Sequence, residues 1–316
     1  MPSDTTTCVA ERWLNSERTA ACLPYPLLVQ ELARVLADPP VQVPPRTVQR
    51  LPGGGSLFMM PAFDSRIAIA KVITLTPANA GTDRPAIQGD VMVFDVVTGE
   101  RVLVLDGPTV TARRTAAVTV LAAQRLAPSP HGPLLIVGAG VQGLAHLEAF
   151  AEVLRVREFV IASLSATSAE RLARHAQALG FQARVVPDAD AVLANCPMAV
   201  ACTPARSVVL HALPRQDGFL AAVGAFAPHM AELGAGLCRH IAAQGTVVVD
   251  TPDARREAGD LLQAGLDVGS LASLRDVLLT RNFPVTGPVL FKSCGWAGWD
   301  LAAARTALAQ VGNAQD

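Results

Sequence analysis

The sequence predicts an α/β fold, a doubly wound parallel sheet with a smaller α+β unit beside it, on three observations. The middle of the chain alternates short apolar runs with amphipathic helical stretches. One of those runs leads directly into Gly138-Ala139-Gly140-Val141-Gln142-Gly143. The first third carries instead short β-rich runs separated by Gly, Pro and Asn. At 316 residues the chain is about twice the usual ~150 per domain, which leaves room for two domains. Aromatic residues are only 4%, so the core must be built from Ala, Val, Leu and Ile.

Element by element, the apolar periodicity from Tyr25 to Leu36 predicts a helix, which Asp38-Pro39-Pro40 stops. Leu57 to Pro61, Arg66 to Leu75, Asp90 to Asp95 and Arg101 to Asp106 read as strands of an antiparallel sheet, with Thr98-Gly99-Glu100 turning between the last two. The Ala-rich stretch Thr111 to Leu126 is a helix entering the second unit, closed by Pro128-Ser129-Pro130. Strand and helix then alternate: Leu134 to Val137, helix Gln142 to Leu154, Glu158 to Ala162, helix Ser168 to Leu179, Ala183 to Val186. Met198 to Cys202, Gly218 to Val223 and Thr246 to Val249 add strands to a parallel sheet buried on both faces. After Pro288 come Val289 to Ser293 and a last helix, Asp300 to Ala309, returning to the first unit.

Composition narrows the function. Lys plus Arg number 26 against 27 Asp plus Glu, so a net charge of -1 offers nothing to a nucleic acid or an anionic membrane surface. No apolar stretch approaches the ~18 residues of a membrane span. The first thirty residues lack a basic start followed by an apolar segment, so export is not expected. The six cysteines (Cys8, Cys22, Cys196, Cys202, Cys238, Cys294) form no C-x-x-C pair, and no His clusters beside them at metal-ligand spacing. A cytoplasmic protein with reduced thiols and no metal fits.

The glycine string carries the chemistry. Between a strand and a helix, Gly138 makes the tight turn, Gly140 admits a pyrophosphate to the backbone and Gly143 lets helix and strand pack closely, the fingerprint of a Rossmann dinucleotide site. An acidic residue at the end of the next strand would pair with a ribose 2′-hydroxyl. Here Ser163, Ser165, Thr167 and Ser168 stand there, with Arg171 one turn on. This favours NADP over NAD, although the same serines serve equally well as helix caps. In the first unit, Arg46 after Pro44-Pro45, Lys71 inside an apolar strand and the pair Arg113-Arg114 are cations in weakly charged surroundings. Arg offers a fork to a carboxylate, Lys a point charge or a proton. A lysine on the inward face of a strand needs a partner or a substrate, and one on an exposed edge needs neither.

Together, Pro45-Arg46, Met60-Pro61-Ala62, Lys71, Thr111 to Ala117, the Gly138 to Gln142 turn, Val223-Gly224-Ala225 with Glu232-Leu233, Glu257-Ala258-Gly259, and Lys292-Ser293-Cys294-Gly295 leading into Asp300-Leu301 resemble, in the same order, the motifs of the ornithine cyclodeaminase and mu-crystallin family. The resemblance implies a nicotinamide-dependent enzyme with a Rossmann domain, residues 116–291. A substrate and dimerisation domain made from both chain ends, residues 1–115 and 292–316, would build a homodimer. It implies that Arg46, Lys71 and Arg114 form the substrate-carboxylate and acid/base cluster. Gly138, Gly140, Val141 and Gln142 would bind the pyrophosphate, Thr203 would touch the cofactor, and Gly295 would lie beside the nicotinamide.

One departure decides between activities. Ornithine cyclodeaminases carry an aspartate after Val-Gly-x, whereas this chain reads Val223-Gly224-Ala225-Phe226. Phenylalanine moves no proton, so deamination of an amine loses its acid. Hydride addition to a preformed cyclic imine does not need that acid, and an aromatic wall at Phe226 would exclude water. The resemblance therefore implies an NADP- or NAD-dependent reductase of a small cyclic imino acid such as Δ1-pyrroline-2-carboxylate. Ornithine cyclodeamination and a non-catalytic dinucleotide-dependent binding protein like mu-crystallin are the alternatives. Cys294 reads as a buried small hydrophobe rather than a nucleophile, and His211 and His229 as secondary candidates for a proton donor.

Overall fold

The computed structural model describes residues 13–79, 82–204 and 207–313; Cys8 and the segment expected to lack an export leader fall wholly or partly outside them. Among the described residues, β1 (Trp13–Leu14), β2 (Thr47–Arg50), β3 (Ser56–Phe63), β4 (Ile67–Leu75), β5 (Ile87–Asp95) and β6 (Arg101–Asp106) form one sheet, in the order β1-β6-β5-β4-β3-β2. It is antiparallel except where β1 runs parallel to β6. The helices α1 (Ser16–Ala21) and α2 (Tyr25–Ala37) lie between β1 and β2 in the chain. Strand β4 alternates strictly, with Ile67, Ile69, Lys71 and Ile73 on the buried face, so Lys71 points inward.

The connecting helix α3 (Gly107–Leu126) starts four residues before the expected Thr111. The reason is local: the Asp106 side chain accepts from the backbone N–H of Thr109 at 2.9 Å, and Pro108 occupies the first turn, where its missing N–H costs nothing.

The second sheet comprises β7 (Leu134–Val137), β8 (Glu158–Ala162), β9 (Gln182–Val186), β10 (Met198–Ala201), β11 (Phe219–Ala222), β12 (Thr246–Val249), β13 (Ala272–Ser273) and β14 (Val289–Lys292). All are parallel, in the order β13-β12-β14-β11-β10-β7-β8-β9. The helices α4 (Val141–Val153), α5 (Ala166–Ala178), α6 (Asp190–Leu193), α7 (Ala235–Gln244), α8 (Gly259–Gln263) and α9 (Leu274–Leu279) connect them. Along β7, Leu134 and Ile136 join the apolar cluster on one face, and Leu135 and Val137 the cluster on the other. The order reverses between β7 and β10, so ligands are expected at the carboxyl ends of those two strands. No helix among the described residues is long and apolar enough to cross a membrane.

The last helix, α10 (Ala297–Asn313), is longer at both ends than the expected Asp300 to Ala309. It packs on α2, α3, β3 and β4, returning the chain to the first sheet, while β14 just before it is a central strand of the second. The sequence reading gave no element at β1, α1, α6, α7, α8, β13 or α9, nor at β2, whose four residues are all exposed and show no alternation.

Helices α3 and α4 meet at a buried histidine. His146 Nδ1 lies 2.7 Å from the Gln142 carbonyl and Nε2 lies 3.1 Å from Thr119 Oγ1. Burial drives its pKa down to about 4, so the ring is neutral in the fold. The unfolded chain therefore binds the extra proton between pH 6.5 and 4, and stability falls as pH drops through that window, by on the order of 3 kcal/mol in full. Thermal unfolding midpoints at pH 7 and pH 5 are expected to differ less in His146→Gln than in the native protein; an equal difference would mean His146 does not titrate this way.

Candidate active site

The glycine turn supplies the first half of the site. Gly138 follows β7 with φ +111°, and a Cβ there would stand 2.8 Å from the Cys202 carbonyl oxygen, so the turn and the loop after β10 touch. A Cβ on Gly143 would meet the Gly138 carbonyl oxygen at 2.2 Å, which only glycine avoids. Gly140 caps α4 with open space around it and no side-chain cap, leaving the first-turn N–H groups for an anion. The Val141 side chain is exposed, and Gln142 Oε1 is buried without a partner among the described residues. An uncapped helix end and an open glycine, both presenting N–H donors, fit the pyrophosphate end of a dinucleotide.

At the end of β8, Ser165 Oγ caps α5 by accepting from Ser168 N at 3.2 Å, and Ser163 Oγ accepts from Ser165 N at 3.3 Å. Both hydroxyls keep a proton to donate, and Arg171 is exposed one turn further along α5. Thr203 donates both its N–H (2.6 Å) and its hydroxyl (2.9 Å) to Glu232 Oε1.

The other half is a buried charge cluster. Lys71 on β4 is 0% exposed, and its Nζ lies 2.9 Å from Asp300 Oδ1, in the first turn of α10. Arg114 on α3 places Nε 3.3 Å from the same oxygen. Among the described residues Arg114 Nε, despite that distance, makes no hydrogen bond, and both terminal nitrogens stand 3.4 Å from where a Gly295 Cβ would be. Arg114 thus offers an open fork at Gly295. Burial lowers the Lys71 pKa, the Asp300 carboxylate raises it, Arg114 lowers it again, and the balance is about 8.

Arg46 reaches the site from before β2 but is already engaged. Its Nη2 lies 2.8 Å from Glu257 Oε1 and donates to the Phe226 carbonyl at 3.2 Å, and its Nη1 donates to the Cys294 carbonyl at 3.5 Å. Glu257 is pushed up to about 6 by burial, despite Arg46. The Phe226 ring meets Phe58 of β3 edge-on at 6.3 Å, bridging the two sheets' elements. A pocket of about 130 Å³ opens beside this cluster, lined by Pro45, Arg46, Met60, Glu257, Gly295 and Trp296 with Asp253 and Arg256, while Lys71, Arg114 and Phe226 stand behind its lining. Met60 is the cross-strand neighbour of Lys71. A larger cavity of about 350 Å³, beside His131, Arg155 and Arg157, lies at the opposite ends of β7 and β8.

Arg113, adjacent to Arg114, turns away: it lies 3.9 Å over the Tyr25 ring and donates to the Leu23 carbonyl. His211 and His229 are exposed on loops. Burial pushes the Cys294 thiol far above its usual value, so it is no thiolate. The sequence reading gave no role to Asp300, Glu257 or Asp250. Asp250 Oδ2 accepts from Ser293 Oγ (2.8 Å), Cys294 N (2.8 Å) and Gly295 N (2.9 Å), fixing the turn against Arg114. A carboxylate directly ending the apolar run Thr246 to Val249 was the available signal.

Residues 20–313 match the ornithine cyclodeaminase/mu-crystallin family model. The chain belongs to this family. Within it, the chain is 41% identical over 295 residues to Delta(1)-pyrroline-2-carboxylate reductase 1 of Burkholderia multivorans, covering 92% of each. It is 31% identical to the mouse ketimine reductase mu-crystallin, covering 88% of this chain and 90% of that one. The Thermococcus litoralis Delta(1)-pyrroline-2-carboxylate reductase, solved with NADH and L-proline, superposes with a TM-score of 0.87 over 96% of this chain and 98% of that one, at 23% identity. The family's fold is thus the α/β, Rossmann-type architecture described above.

Removing Asp300's charge strands two buried cations. Asp300→Asn is expected to cost about 3 to 5 kcal/mol in urea unfolding. Lys71→Met combined with Asp300→Asn should recover part of that cost, because the two residues are coupled. Strict additivity in this cycle would contradict the shared ion pair.

Proposed function

We propose that this protein reduces a small cyclic imino acid, Δ1-pyrroline-2-carboxylate or a similar ketimine, to the cyclic L-amino acid, using NADPH in preference to NADH. The observation that carries this reading is the open Arg114 fork next to Gly295, beside a buried lysine poised near neutral pH and a phenylalanine where a deaminating enzyme needs an acid. The names of the 41%-identical and mouse relatives support it.

A dinucleotide held by its pyrophosphate at the Gly138 to Gln142 turn would supply the hydride from its nicotinamide end. The chain's residues do the rest. Arg114 pairs with the substrate carboxylate through its terminal nitrogens. Lys71, protonated at Nζ and held by Asp300, donates to the imine nitrogen and makes the adjoining carbon electrophilic. Phe226 and Phe58 keep water from that carbon. Arg46, bound to Glu257, holds the Phe226 and Cys294 carbonyls and so closes the site.

For the cofactor, the hydroxyls of Ser163 and Ser165 with Arg171 suit a 2′-phosphate, and no carboxylate at the end of β8 repels it. For assembly, Met59, Ala70, Val72, Met92 and Phe94 share the outer face of the first sheet and none is buried. A second copy of this chain covering that face makes a homodimer; an archaeal alanine dehydrogenase of similar fold (TM-score 0.85) is itself a dimer. The free described cysteines accord with work in the cytoplasm.

Oxidation of NADPH in the presence of five- and six-membered cyclic imino acids tests the reading, with NADH in parallel. Turnover with either ring, faster at limiting NADPH than NADH, is expected, as is no ammonia from L-ornithine with NAD. Ammonia release at a kcat near the ~10 per second typical of enzymes would overturn it in favour of cyclodeamination.

The pH profile gives a second check. The reaction needs Lys71 protonated, so kcat/KM is expected to be level below its pKa and to fall as pH rises through about 8. A profile flat to pH 9.5 would remove Lys71 as the donor.

A further inference from the structure

The loops after β10 and β11 face the carboxyl edge where the strand order reverses, and the first of them touches the Gly138 turn. One buried carboxylate ties them together. Glu232, 0% exposed, accepts Thr203 N and Oγ1 on Oε1, at 2.6 and 2.9 Å, and Gly224 N on Oε2 at 2.6 Å. Thr203 follows β10, and Gly224 lies two residues before Phe226 in the loop after β11.

Glu232 is itself held from behind. Its backbone N–H and that of Leu233 donate to Asp260 Oδ1 at 2.6 and 2.9 Å. Asp260 Oδ2 lies 2.9 Å from Lys292 Nζ, which also donates to the Ala225 carbonyl at 2.6 Å and the Ala222 carbonyl at 3.3 Å. Lys292 ends β14 and immediately precedes the Ser293 to Gly295 turn. Four segments distant in sequence are therefore fixed by one chain of charges: the loops after β10, β11 and β14, and the start of α8. Asp260 pairs with the Lys292 ammonium, and the Glu232 carboxylate lies within reach of the same positive charge. Packing alone needs no such arrangement, since burying charge is costly and apolar residues of the same volume would hold the loops more cheaply. What a carboxylate adds is direction: its two oxygens set where two backbone N–H groups point.

We propose that Glu232 is the positioning residue that fixes the spacing of the two dinucleotide-facing loops, Cys202 to Pro204 and Val223 to Phe226. The inference rests on the dinucleotide reading given under the proposed function. In Glu232→Gln the side chain keeps its shape but presents an amide N–H to donors that now find oxygen, so one loop loses its tie. Loss of one charge-assisted hydrogen bond corresponds to a weakening of about tenfold or more.

The test is direct NADPH binding by titration of cofactor fluorescence, alongside thermal unfolding, for the native protein, Glu232→Gln and Arg305→Met. Arg305 lies away from the site, paired with Asp64, Asp38 and Glu31, and serves as a control that loses stability only. The expected result is an NADPH Kd raised about tenfold in Glu232→Gln and unchanged in Arg305→Met. A Glu232→Gln protein that unfolds earlier but binds NADPH as tightly as the native chain would overturn the proposal. Should Glu232→Gln fail to fold, Glu232→Asp keeps the charge but draws both oxygens back by one carbon from the Thr203 and Gly224 N–H groups, and a severalfold rise in Kd is expected; no rise overturns the proposal. Failure of the native protein to bind NADPH or NADH would be a different outcome, removing the dinucleotide reading and this inference with it.

Discussion

Lys71, Arg114 and Asp300 come from a strand and two helices, the first and the last 229 positions apart in the chain, and none of them can be buried alone. An isolated charge in this interior costs several kcal/mol, so β4, α3 and the N-terminal turn of α10 must arrive together or not at all. That requirement draws the C-terminal helix back across the chain onto the first sheet. It also fixes the Ser293 to Gly295 turn, which leads into α10 and is held by Asp250 on its other side. The position of Gly295 against Arg114, and with it the open fork, follows from how one carboxylate is shared.

The same device occurs twice. Lys292 ends the apolar run Val289 to Phe291 as Lys71 interrupts Ile67 to Ile73, and each takes a carboxylate from a distant segment, Asp260 and Asp300. The electrical outcomes differ because the neighbours differ. Burial lowers the Lys71 pKa, and a second cation, Arg114, beside its partner offsets part of what Asp300 restores. Lys292 faces Asp260 and Glu232, and its pKa is raised despite burial. One lysine is poised to give up a proton and the other is a fixed charge.

How much of this the sequence disclosed follows from the range of each interaction. The strand, glycine turn and helix at Leu134 to Val153 are determined by neighbours along the chain, and their pattern was legible. Lys71 stood out because a cation in an alternating apolar strand conflicts with its surroundings, but its partner did not, because nothing local marks Asp300 as buried. Lys292 carried the same signal in Val289-Leu290-Phe291-Lys292 and was read only as part of a family string. Arg113 and Arg114 were inseparable in sequence. Adjacent helical residues point about 100° apart, and only the packing of α3 against Tyr25 on one side and Asp300 on the other assigns them. The serines after β8 turned out to cap a helix, without losing their free hydroxyl protons, so the two readings of them were never exclusive.

The charge balance of the site gives Phe226 a reason beyond its inability to move a proton. Among the groups that ion-pair directly in the site, three cations, Lys71, Arg46 and Arg114, face two carboxylates, Asp300 and Glu257, which leaves one positive charge in that set, Asp250 being committed to the N–H and hydroxyl groups of the Ser293 to Gly295 turn. A cyclic imino acid with a neutral imine brings one carboxylate and no cation, and neutralises that surplus. An amino acid brings an ammonium as well, and so would leave the surplus in place. An aspartate at position 226 would cancel it, making the site neutral and suited to the amino acid but poor at holding the imino acid's lone negative charge. The aromatic ring at Phe226 and the open fork of Arg114 are therefore two sides of one selection: without an acid there, the positive charge remains for the substrate carboxylate, and the wall it borders stays dry.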